Sequence, residues 1–192
     1  NASARRISEV LDTAEGLPSA TESEYPARAE RGVVFDGVSF AYNSTKTILH
    51  DVSFSVPTGT RLGLIGATGS GKSTIISLLM RFYDVSAGSV RIDGKDVRTI
   101  DDGELHSLFG VAMQNDFLVA DTIEENIRFG RDISRAEIER AAKIAQAADF
   151  IESFEGGYSY MLEAKGANLS GGQKQRLLIA RAIAGSPRIL IL

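Results

Sequence analysis

Residues 66–73 read Gly66, Ala67, Thr68, Gly69, Ser70, Gly71, Lys72, Ser73 and satisfy G-x-x-x-x-G-K-[ST] at every fixed position. No other stretch restricts the fold as much, because the pattern works only as the turn between a strand and a helix. The flanks supply both: Arg61, Leu62, Gly63, Leu64 and Ile65 read as a buried strand, and residues 72–83 as a helix with apolar Ile75, Ile76, Leu78, Leu79 and Phe82. Glycines at 66, 69 and 71 let the backbone curl until successive N–H groups face one concavity, to which the helix start adds partial positive charge. An anion of phosphate size is expected there. Lys72 would reach the β and γ phosphates of a nucleoside triphosphate, and the Ser73 hydroxyl would ligate the magnesium ion bridging them.

The rest of the composition narrows the classes. A length of 192 residues suits one α/β domain with an appended arm. The net charge of −4, with no run of Lys or Arg, argues against a nucleic-acid surface, which needs a stripe of phosphate-neutralising cations. The absence of cysteine excludes disulfides, thiolate metal sites and a Cys nucleophile. No apolar run approaches the roughly 20 residues that cross a bilayer, and no signal-peptide pattern opens the chain. The first residue is Asn1, and the last five, Arg188, Ile189, Leu190, Ile191 and Leu192, resemble a central parallel strand, so both ends are expected to be cuts in a longer chain.

Taken in order, residues 1–12 place Ile7, Val10 and Leu11 at helical spacing, and residues 13–31 turn polar around Pro18 and Pro26, which predicts a helix end and an extended linker. Residues 33–42 alternate through Val33, Phe35, Val38 and Phe40, and residues 48–56 alternate again, which predicts an antiparallel pair. Tyr42 falls in the connection, where its ring could stack on a base or simply pack. Residues 89–94 form a strand entering an Asp93-Gly94 hairpin turn. Residues 109–113 read as a buried strand ending in Gln114, whose amide could face a cation or a water, or make a loop hydrogen bond. Thr122 with Glu125, and Ser134 with Glu137, are spaced as capping boxes, and one amphipathic helix is predicted over residues 134–154 with Ile138, Ala141, Ala145, Ala148, Ile151 and Phe154 on its apolar face.

Leu169, Ser170, Gly171, Gly172 and Gln173 open a further helix through Ala184, with Ser170 and Gln173 spaced as a capping box. Glycine weakens a helix, so a glycine pair in the first turn is useful chiefly where something must approach the backbone closely. Two anion-accepting helix starts either bind two phosphate groups or serve two different sites.

In order and approximate spacing, the phosphate loop, Gln114 and the sequence Leu169 to Gln173 resemble the ATP-binding domain of ABC transporters. The resemblance covers residues 32–192. Phe117, Leu118, Thr122, Ile123, Asn126 and Ile127 look like the stretch after the Gln in exporters with a permease fused upstream. It implies an α/β P-loop NTPase of ABC-ATPase type: a RecA-like core with an antiparallel β subdomain and a helical subdomain, incomplete at its C-terminus. Residues 1–31 would then link an upstream transmembrane domain to the ATPase. The implied ligands are ATP and Mg2+, with Tyr42 on adenine, residues 66–74 (through Thr74) on the phosphates, and Ser73 and Gln114 on the metal. Lys72 and Gln114 would be the catalytic groups present. Leu169, Ser170, Gly171, Gly172 and Gln173 would cap the γ-phosphate held by a second ABC ATP-binding domain in a homo- or heterodimer.

The implied setting is the cytoplasmic face of the cell membrane, where ATP hydrolysis drives transport through the permease, with no nucleic-acid partner. Ala164, Lys165 and Gly166 stand where many exporters have Glu-Arg-Gly, so the coupling contact usually given to that Glu is not carried over to this chain. The family's magnesium-holding Asp, catalytic Glu and switch His would follow Leu192, and the chain alone is expected to hydrolyse ATP poorly. Two alternatives keep the fold: a non-hydrolysing regulatory half of a heterodimer, and a DNA-repair or chromosome-organising ATPase. The latter needs a long coiled coil, and residues 134–169 carry no sustained heptads. A GTPase would need Asn-Lys-x-Asp, which does not occur.

Overall fold

A computed structural model describes residues 31–43, 46–113 and 117–192. The predicted helix and linker of residues 1–31 lie, but for Arg31, outside the described residues, and so does Gln114. The chain divides into two compact units at Leu105/His106.

In the first unit, β1 (Gly32–Phe40) pairs antiparallel with β2 (Leu49–Pro57) and with β3 (Ala87–Ile92), and β3 pairs with the short β4 (Lys95–Asp96), giving the order β2-β1-β3-β4. The buried residues of β1 fall at 33, 35, 38 and 40, a pattern that slips by one between Phe35 and Val38. Because side chains alternate with a period of two, the slip requires an extra residue, and the register shifts there, with Gly37 at φ 60°. Asp93 (φ 50°) and Gly94 (φ 83°) make the predicted two-residue turn between β3 and β4. Phe35, Val38, Val90, Leu78 and Leu105 are buried almost completely in this unit.

Two expectations fail in the first unit. Arg61, Leu62, Gly63, Leu64 and Ile65 belong to neither sheet, and Ile65 is 99% exposed. Apolar composition favours burial, but a strand exists only through its ladder; among the described residues this run has none, and Gly63 at its centre adds backbone entropy without packing. The helix expected over residues 72–83 is shorter: α1 (Lys72–Leu79) ends because Arg81 turns to φ 54°, which leaves Phe82 exposed. Helix α2 (Asp102–Ser107) follows.

In the second unit, β5 (Phe109–Val111) and β6 (Ile189–Ile191) pair in parallel; both strands were expected, β5 as far as Met113, but not their pairing with each other. Around them lie α3 (Ile123–Arg128), α4 (Arg135–Ile144), α5 (Ala148–Ser153) and α6 (Gly171–Ala184). Gly110 is obligatory, because a Cβ there would lie 2.1 Å from the Ala182 carbonyl oxygen of α6. The single helix predicted over residues 134–154 is instead α4 and α5, broken where Gln146 takes φ 57°. Its apolar face survives the break. Ile138, Ala141, Ala145, Ala148 and Ile151 are buried, and Phe154 stacks on Tyr160 at 4.3 Å. The Ser134 capping box forms reciprocally. At Thr122 only one arm forms, because Asp121 takes the Thr122 N–H and Glu125 turns to Arg128.

Candidate phosphate-binding and signature sites

The phosphate loop is built as an open turn. Ser70 N–H donates to Ala67 O at 3.2 Å, and Gly69, third in that turn, has φ 82°, the arrangement for which glycine is preferred. A Cβ at Gly69 would meet nothing within 4 Å, so space beside the loop is free. Gly71 is the N-cap of α1 at φ 94°, and its missing Cβ is filled by Leu49, whose Cδ2 would lie 2.7 Å from one. This close approach seats the loop against the start of β2.

No side chain caps α1, and the first backbone bond into the helix runs from Ile75 N–H to Gly71 O. The N–H groups of Lys72, Ser73 and Thr74 therefore have no intrahelical acceptor. A bare helix start with three orphan donors is suited to an anion. The Lys72 ammonium donates to Gly66 O (2.7 Å) and Ala67 O (3.0 Å), with Ser70 Oγ at 3.5 Å, so a full positive charge is held on the loop itself. Thr68 lies within the same turn, and Ser73 is exposed on the first turn of α1.

Tyr42 lies just past β1, half exposed. Its hydroxyl is 3.2 Å from Thr74 Oγ1, and its ring meets Phe40 (4.8 Å, 85°) and Tyr83 (5.0 Å, 87°) edge-on. The structure thus brings Tyr42 to the helix that starts at the phosphate loop, a contact that no sequence spacing announces.

In the second unit, Ser170 caps α6. Its Oγ accepts from Gln173 N–H at 3.3 Å, and Gln173 Oε1 accepts from Ser170 N–H at 2.9 Å. Leu169 is buried and anchors the turn. Gly171 and Gly172 are exposed, and a Cβ at either would touch nothing within 4 Å. Neither has the positive φ that demands glycine, so nothing within the described residues calls for the pair. Gly166 is different: at φ 62° its Cβ would lie 2.9 Å from Leu118 Cδ1, and Lys165 N–H bonds Leu118 O at 2.9 Å. The Ala164–Gly166 turn is thereby fixed to the segment that follows Gln114.

Sequence reasoning missed the buried polar hub behind α6. Asn126, fully buried, donates to Val119 O and Thr122 O (both 3.0 Å) and accepts from Val119 N–H (2.9 Å) and Arg181 (3.1 Å). Arg181 also donates to Asn126 O (2.7 Å) and Phe117 O (2.9 Å) and covers the Phe129 ring at 4.2 Å. Burial holds the neighbouring Arg131 guanidinium below its ordinary pKa, and its bonds to Ile127 O and Arg181 O compensate for lost water. Asn126 lies in the exporter-like stretch of the sequence, but its spacing did not announce its role as a buried hub.

Among the described residues no group of three His, Asp or Glu side chains could hold a metal, and no helix is long and apolar enough to cross a membrane.

The loop ahead of a bare helix start and the antiparallel sheet of the first unit, with the capped glycine pair that opens α6 in the second, define a P-loop ATPase domain of mixed α/β architecture. The ABC transporter family model matches residues 49–192, and the chain belongs to that family. It is 45% identical over 160 residues to an ATM1-type heavy metal exporter of Novosphingobium aromaticivorans, covering 83% of this chain and 26% of that protein. It is 44% identical over 179 residues to an ATP-dependent lipid A-core flippase of Vibrio parahaemolyticus, covering 91% of this chain and 31% of that one. A solved structure of a bacterial Atm1-family ABC exporter with ATP bound superimposes with a TM-score of 0.82 at 41% identity, over 97% of this chain and 33% of that chain. The chain thus spans a third or less of the length of these relatives. The fold is that of an exporter-type ABC ATP-binding domain, and the class binds nucleotide.

Proposed function

We propose that residues 32–192 are the ATP-binding part of an ABC exporter, preceded by a linker over residues 1–31, and that the chain holds ATP with Mg2+ at residues 66–74. The observation that carries the reading is the uncapped start of α1 beside a loop on which Lys72 already places its charge. The donor set suits a triphosphate: three orphan N–H groups, an ammonium, and the exposed Ser73 hydroxyl. Magnesium bound to phosphate oxygens needs few protein ligands, and the exposed Ser73 hydroxyl would be one of them. When bound, it would neutralise the phosphate charge that develops during transfer.

Lys72 would leave Gly66 O and Ala67 O for the β and γ phosphates. The backbone amides would fix the phosphate chain, and Tyr42 would take the adenine. Gln114 would contact the metal and the attacking water. Ser170, Gly171, Gly172 and Gln173 would present a hydroxyl and bare backbone to the γ-phosphate of a second ABC ATP-binding domain, a role supported by a glycine pair that nothing within the described residues requires. In the intact protein, closure of such a pair on ATP and release on hydrolysis would drive a fused or associated permease from the cytoplasmic face of the cell membrane.

The test is calorimetric titration with ATP and magnesium. Lys72→Ala should abolish detectable binding, and an unchanged affinity would remove the loop from the site.

A further inference from the structure

We propose that Tyr83 is a positioning residue for nucleotide binding, holding the Tyr42 ring edge-on so that one of its faces stands ready for the base. The inference rests on the reading that Tyr42 meets the base. The hold on Tyr42 has three parts: Phe40 at 4.8 Å, Tyr83 at 5.0 Å, and the hydroxyl contact to Thr74 at 3.2 Å. Phe40 and Tyr83 are themselves 5.7 Å apart, far less than the sum of their distances to Tyr42. Both rings therefore lie toward one side of Tyr42 and cannot cover its two faces, which agrees with its being half exposed. Planes at 85° and 87° are the edge-to-face geometry that the ring quadrupole favours.

Tyr83 is well placed for this because its own turn is pinned. Arg81, with its side chain 2% exposed, pairs with Asp84 at 3.2 Å and Asp102 at 3.4 Å. Phe82 N–H bonds back to Ser77 O at 2.8 Å. The ring is thus carried on a segment locked on both sides, whereas Tyr42 lies past the end of β1. A ring that would otherwise have to give up rotamer freedom on binding is ordered in advance, which favours the bound state without any contact between Tyr83 and the ligand. The contact is through the ring and not the hydroxyl, so phenylalanine should serve equally well.

The experiment compares ATP with inorganic tripolyphosphate, which lacks a base, on the whole chain. Tyr83→Ala should weaken ATP about three- to ten-fold, the range of an aromatic pair, while leaving tripolyphosphate unchanged. Tyr83→Phe should restore ATP affinity, and adding Tyr83→Ala to Tyr42→Ala should cause no further loss. If Tyr42→Ala weakens ATP but Tyr83→Ala does not, or if Tyr83→Ala weakens both ligands equally, the positioning role is overturned. If Tyr42→Ala itself leaves ATP affinity intact, the reading of Tyr42 fails first, and the two failures are distinguishable.

Discussion

Replacing Gly171 and Gly172 together by alanine should stabilise the chain and leave its own ATP affinity unchanged. Both glycines sit in the first turn of α6 behind an intact Ser170–Gln173 cap, neither has positive φ, and a Cβ at either meets nothing within 4 Å. Alanine therefore adds no clash and removes backbone freedom from the unfolded chain, worth about 0.4–1 kcal/mol per site where the conformation is compatible. First-turn positions gain less than interior ones, so the pair should contribute about 1 kcal/mol. For a domain of this size that raises Tm by about 2–4 °C.

Gly166→Ala is the internal control. At φ 62°, with Leu118 Cδ1 2.9 Å from its Cβ position, it should lower stability by about 1–2 kcal/mol. Scanning calorimetry of the three proteins reads the stability, and titration with ATP reads the binding. A fall in Tm for the double variant would mean that the space over the first turn is filled from within the chain. A fall in ATP affinity would mean that the glycine pair serves the chain's own nucleotide, against a site completed by a second domain.

Asn126→Ala should cost about 3 kcal/mol, because it strands the Val119 N–H and several carbonyls inside the core, each worth about 1–3 kcal/mol when left unpaired; urea denaturation showing a loss under 1 kcal/mol would refute the hub. A pH effect follows from Glu137, whose carboxyl is held below the ordinary carboxylate value by the Ser134 backbone N–H and then by the Ser134 hydroxyl. The depressed folded pKa means that this contribution is present above the unfolded value of about 4.3 and disappears as pH falls through the folded one. Glu137→Gln keeps an acceptor oxygen for the cap, so it should flatten this part of the acid limb, and identical acid profiles for both proteins would contradict the assignment.

The turn within the phosphate loop, the Asp93-Gly94 turn and the Ser134 and Ser170 caps were legible because each depends on residues within a few positions of one another, and the strands of the antiparallel pair were legible from the alternation within each, although they pair Gly32 with Pro57. What escaped depends on contacts distant in sequence. Residues 61–65 have the composition of a strand, but a ladder is a property of two segments, and no local pattern supplies the second. The break at Gln146 leaves the apolar periodicity of residues 134–154 nearly intact, so the pattern cannot announce it. The packing of Tyr42 on Tyr83, and the bonds from Arg181 back to Phe117 and Asn126, bring together residues 41, 64 and 55 positions apart. The slip in β1 from Phe35 to Val38, by contrast, was written in the spacing of its apolar residues.

The account turns on backbone amides at the start of α1 holding a triphosphate. Amide NMR of the isotope-labelled chain, titrated with ATP and magnesium, tests this most directly. The account predicts the largest shifts at Gly69, Gly71, Lys72, Ser73 and Thr74, absent in Lys72→Ala. Saturable binding that leaves those five amides unmoved would contradict it.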